Sequence, residues 1–155
     1  MNLYVIVKSI HLISATVLFG TDVGIAFFMF RSTFTVNLQQ KYYALNNTVL
    51  ADTLFTLPAA IIQPTSGIAL IYIVGYKWSD FWLLATYIIY IFVGLCWLPV
   101  VWIQIQLKQM CQYAIDTKTE LPDRYQNLFQ LWLLLGWPAF IGLVIVFYLM
   151  VAKPL

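Results

Sequence analysis

The side chains best equipped for chemistry in this 155-residue sequence are Lys8, His11, Asp22, Asp52, Gln63 and Tyr90, and each interrupts a run of apolar residues. Ionisable groups are costly in hydrocarbon, so in a membrane chain they are expected to face one another, a bound guest or water rather than lipid. His11, the single histidine, has three readings. As a neutral imidazole bonded to a facing helix it is packing glue. As an axial ligand it holds the iron of a b-type haem, with Lys8, one turn earlier, pairing with a propionate or another carboxylate, although snorkelling to the headgroups is the plainer reading of Lys8. As a relay it belongs to a proton path.

Asp22 and Asp52 suit a proton or cation path if they sit side by side, because two adjacent carboxyl groups share a proton. The alternative is that each pairs with a basic residue at the membrane edge, such as Arg31, Lys41, Lys108 or Arg124, or caps a helix. Tyr90, Trp97 and Trp137 are candidates for a cofactor wall, since the tryptophans flank Pro99 and Pro138 and offer flat faces to an aromatic ligand; packing and interface anchoring is the plainer reading. One histidine excludes a bis-histidine haem within one chain. The sixth position would then be open, filled by Met150 or Tyr90, or shared across a dimer.

The elements that must position these residues follow from composition. The chain is 63% hydrophobic and 9% charged, with a mean hydropathy of +0.86, far from the roughly 25% charged content of soluble domains. We expect an all-α integral membrane protein, a four-helix bundle in one domain over 1–155. Apolar runs place its spans at about residues 3–30, 49–72, 81–105 and 128–152. Prolines at 58, 64, 99 and 138 are expected to kink the spans. Gln63-Pro64-Thr65-Ser66-Gly67 combines such a kink with polar side chains that could open a small cavity. Ser32–Thr48 reads as a polar connection or an extension of the helices beside it, residues 73–80 as a tight hairpin, and Lys108–Tyr125 as a solvated loop.

Positions eleven apart return to within roughly 20° of one helix face. His11 therefore shares a face with Asp22, and Asp52 with Gln63. Two antiparallel helices would set His11 beside Gln63 and Asp22 beside Asp52, giving an outer layer of His11, Gln63 and Tyr90 and an inner layer of the two acids. Arg31, Lys41, Lys108, Lys118 and Arg124 lie on the side of the first and third connections against two or three basic residues on the opposite side, which predicts both termini outside, periplasmic in a bacterium, and residence in the inner membrane.

Other functions are excluded on the same grounds. A net charge of +2 with scattered basic residues does not suit nucleic acid. Cys96 and Cys111 lack metal-ligand or disulfide spacing and read as small apolar side chains. The first span lacks a cationic start and a cleavage site, so it is expected to be retained. No phosphate loop, nucleophile elbow or HExxH motif is present. Lipid is the expected partner, with a homo-oligomer or a larger membrane complex as a further possibility; in the latter the chain would be a non-catalytic accessory subunit.

The chain also resembles a known family. Leu3-Tyr4 with Lys8, His11 and Gly20, the segment Ala51-Asp52 with Phe55 and Pro58, then Gln63-Pro64 with Gly67, Cys96-Trp97-Leu98-Pro99-Val100-Val101-Trp102-Ile103-Gln104, Trp137-Pro138 and Met150-Val151-Ala152-Lys153-Pro154 are together similar to the bacterial predicted integral membrane proteins grouped as domain of unknown function twenty-two sixty-nine. That likeness implies a membrane bundle and no particular activity. The first span alone, with its histidine nine residues before a glycine, is similar to the opening of HemJ-type protoporphyrinogen oxidases and copper resistance D-type membrane proteins. The HemJ likeness implies haem b on His11 and a redox role.

Overall fold

A computed structural model describes residues 2–154. Within them the chain is helical apart from its connections: α1 (Leu3–Ser32), α2 (Leu38–Ala51), a π-helical turn (Asp52–Thr56), α3 (Leu57–Val74), α4 (Phe81–Thr117) and α5 (Asp123–Ala152). α2, the π turn and α3 run on as one rod, so four rods have the length and apolarity to cross a bilayer. This is the expected all-α membrane bundle.

The wide turn has a local cause. Pro58 has no N–H to give to the carbonyl four residues back, and its ring crowds that carbonyl. The helix loosens just before it, so that the Leu57 N–H bonds to the Asp52 carbonyl, one residue further back than in an α-helix. Pro64, Pro99 and Pro138 sit inside helices that continue through them.

The rods outrun the spans read from hydropathy. α4 has 37 residues, about 55 Å at 1.5 Å per residue, against a hydrocarbon core of about 30 Å. The solvated loop expected over Lys108–Tyr125 is therefore mostly helix, and only residues 118–122 connect α4 to α5. The reason is amphipathic spacing: Leu107, Cys111 and Ala114 are buried at helical intervals and bring this polar stretch against α2 and α5. Lys118 closes α4 in the left-handed conformation, with the Thr119 N–H on the Ala114 carbonyl. The first connection shortens likewise, because Asn37 caps α2 by accepting the Gln39 and Gln40 N–H groups. At the opposite end Gly75 (φ 81°) stops α3 and opens the expected hairpin.

Packing is uneven. α1 lies along α3 and α4 along α5, while the two pairs are joined chiefly where α2 meets α4 and α1. The largest core sits at that joint and includes Met29, Leu45, Ile103, Leu107, Phe129 and Trp132. Gly142 lets α4 and α5 approach closely: a Cβ there would come within 2.6 Å of Val93 Cγ2. Near the α3–α4 hairpin, Ile71 packs with Trp82 and Leu83. The end of α5 is tied there by Lys153, whose Nζ donates to the Tyr76 hydroxyl and stands over the Tyr76 and Trp82 rings.

Candidate functional site

The α2–α3 rod buries one stripe at intervals of three and four residues: Leu45, Thr48, Asp52, Thr56, Ala59, Gln63 and Ser66. More than half of it is polar. Helical phase aims the stripe at α1, whose inward face carries His11, Ser14, Leu18, Asp22 and Ile25 at matching intervals. Where the two stripes meet, two polar clusters form.

The outer cluster is centred on His11. Its Nδ1 is 2.8 Å from Ser66 Oγ, and the Gln63 amide donates to the His11 carbonyl at 3.2 Å. Ser66 Oγ also lies 2.6 Å from the Ile62 carbonyl, which can only accept. The hydroxyl proton goes there, so the imidazole donates from Nδ1 and keeps its lone pair on Nε2. Gly67 makes room for the ring, since a Cβ at that position would be 3.4 Å from His11 Cε1 and 3.8 Å from the Tyr87 hydroxyl.

The inner cluster holds the acids. The Thr56 hydroxyl donates to Asp22 Oδ1 at 3.3 Å and also lies beside the Asp52 carboxyl. The Trp97 indole N–H donates to Asp52 Oδ1 at 3.4 Å, and the Gln104 side chain approaches the same carboxyl. Among the described residues, Asp52 is the one other charge bearing on Asp22. Among the described residues the ion pairs expected for these acids are not formed: none of Arg31, Lys41, Lys108 and Arg124 acts on either carboxyl, Lys41 donating instead to the Ser32 carbonyl and Arg31 lying over Phe34. Among the described residues, Asp52 Oδ2, Gln104 Oε1 and the Trp132 indole nitrogen are buried without any hydrogen-bond partner.

All of these acids and their partners border a chamber of about 600 Å³ between α1, the α2–α3 rod, α4 and α5. Its wall is otherwise almost wholly apolar, with Leu18, Val93, Phe140 and Leu143 at one end and Trp132 and Trp137 on the α5 side. Trp137, Ile91, Leu95 and Leu98 also line it while remaining more than half exposed. The chamber therefore opens sideways, through the apolar outer faces of α4 and α5.

The candidate residues accordingly divide. Tyr90, expected in the outer layer with His11 and Gln63, belongs instead with the acids: it borders the chamber, and its hydroxyl donates to the Ala60 carbonyl at 2.8 Å. That carbonyl is the one Pro64, four residues on, cannot satisfy. Trp97 and Trp137 line the chamber, whereas His11, Lys8 and Gln63 do not. Lys8 is exposed, with its Nζ over the Tyr4 ring. About 10 Å of helix rise separates His11 from Leu18, the first α1 residue on the chamber wall. The chamber's aromatic wall and the histidine thus lie at different levels of the bundle. Among the described residues, no three His, Cys, Asp or Glu side chains are grouped as metal ligands.

Sequence reasoning missed Thr56, Gln104 and Trp132. A signal existed for the first two: Thr56 is one turn from Asp52, and Gln104 is two turns from Trp97 on the same face.

Fold and site define a class: a four-span helical membrane protein with a carboxyl pair in a laterally open chamber. Within that class the chain belongs to the family described as predicted integral membrane protein (DUF2269), which matches residues 5–154. No curated protein and no solved structure matches it.

Proposed function

We propose that the protein moves a proton or a small cation across the membrane and that Asp22 and Asp52 hold it in transit. The observation that carries this reading is the pair itself: two carboxyl groups flanking the Thr56 hydroxyl, walled by apolar side chains and, among the described residues, without a basic counter-charge. Apolar surroundings favour a neutral or singly charged pair over two bare carboxylates, so a mobile positive charge is what the pair lacks. A π-helical turn at Asp52 adds backbone that can rearrange as the load changes. The basic residues gathered at the acid end support a bacterial inner-membrane orientation with that end cytoplasmic and both termini periplasmic.

Flux into proteoliposomes tests the reading. Asp22→Asn and Asp52→Asn are each expected to cut proton or monovalent-cation flux at least tenfold; flux indifferent to both changes removes the proposal. Purification in mild detergent that returns the chain only with other subunits would favour the accessory-subunit role.

A b-type haem on His11 is a second reading, favoured by one observation, the free Nε2 lone pair left by the Ser66 bond. A Soret band lost in His11→Ala would establish it, and its absence after expression with ample haem would remove it.

A further inference from the structure

From the orphaned atoms of the chamber we infer that it is a binding site for a membrane-dissolved organic ammonium ion, an amine with a flat or branched apolar body. This rests on the reading that the carboxyl pair carries positive charge and names the kind of cation. Asp52 and Gln104 are 97 and 99% buried, yet each leaves an acceptor oxygen without a donor at the chamber wall. Leaving such acceptors unpaired is expensive, so these two oxygens suit a guest that brings N–H groups, while the third orphan, the Trp132 N–H, is a donor that such a guest leaves unpaired.

The rest of the wall specifies the remainder of the guest. Charge complementarity calls for a cation, since among the described residues no basic side chain meets either acid. Trp97, Trp132 and Trp137 place aromatic rings on the wall, and such rings attract a cation more than a neutral head. A volume of about 600 Å³ is far more than a bare proton or metal ion needs and lies within the range of small-molecule pockets. The sideways mouth at Trp137, Leu95 and Leu98 admits a solute from the lipid rather than from water.

Binding to the full chain in nanodiscs tests this, with 4-phenylbutylammonium as probe, followed by quenching of tryptophan fluorescence. We expect the ammonium to bind at least tenfold tighter than 4-phenylbutan-1-ol, its neutral isostere. Asp52→Asn and Gln104→Leu should each weaken it at least tenfold. Gly136→Leu keeps every polar atom and places its side chain where no atom lies within 4 Å of the Cβ, so it should fold and should plug the chamber. Equal binding of the alcohol, or ammonium binding unchanged by both Asp52→Asn and Gly136→Leu, overturns the inference. Proton flux measured without the amine separates the two claims: acid-dependent flux with no ammonium binding sinks this inference alone, and ammonium binding without acid-dependent flux sinks the conduit alone.

Discussion

At the scale of single residues, the site depends on which hydrogen bonds are made and which are missing. Tyr90 gives its hydroxyl proton to the carbonyl freed by Pro64. Tyr90→Phe leaves that carbonyl unpaired and should destabilise the protein by about 1–3 kcal/mol, read as a lower melting temperature in detergent. Thr56→Val keeps the shape of the side chain but removes the hydroxyl between the acids. It should reduce flux in proteoliposomes while leaving the fold intact by circular dichroism, and unchanged flux would show that the hydroxyl is dispensable.

Much of this cluster is legible from spacing, because the interval of eleven that puts His11 with Asp22, and Asp52 with Gln63, is a property of any helix. The identity of the partners is not. Tyr90 left the expected outer layer because its hydroxyl bonds to a backbone group, which no side-chain pattern records. Gln104 and Trp132 resemble ordinary interface residues until α4 and α5 are placed.

At the scale of elements, backbone contact limits what each helix tolerates. Gly142 allows α4 and α5 to touch, and a methyl group there meets Val93 at 2.6 Å and Ile89 at 3.3 Å. Both partners are stiff β-branched side chains. Gly142→Ala should therefore cost about 1–3 kcal/mol through overpacking, checked by thermal unfolding, whereas Gly20→Ala, with nothing within 4 Å, should be neutral or mildly stabilising. The number of spans is plain in the sequence because hydrocarbon demands long apolar runs. Their true ends are not, since Leu107, Cys111 and Ala114 hold α4 together beyond the apolar run by packing on neighbours that hydropathy does not see.

For the whole molecule, orientation is open to a direct experiment. Cys96 and Cys111 are buried and should give little background labelling. With the proposed topology, Trp78→Cys in the α3–α4 hairpin should react with an impermeant maleimide in intact cells whose outer membrane is permeable, and Glu120→Cys between α4 and α5 should react only after the inner membrane is broken. The reverse pattern would invert the topology and place the carboxyl pair at the other face.

The Tyr90 contact matters for register as well as for stability. Apolar packing at Leu18, Ala59, Val93 and Leu143, and again at Ile71, Trp82 and Leu83, holds the α1–α3 half to the α4–α5 half. Such packing has no preferred direction, whereas the bond from the Tyr90 hydroxyl to the Ala60 carbonyl does. One phenol on one backbone oxygen, worth about 0.5–1.5 kcal/mol net, therefore sets how far α4 slides along α3 and with it the level at which Trp97 meets Asp52.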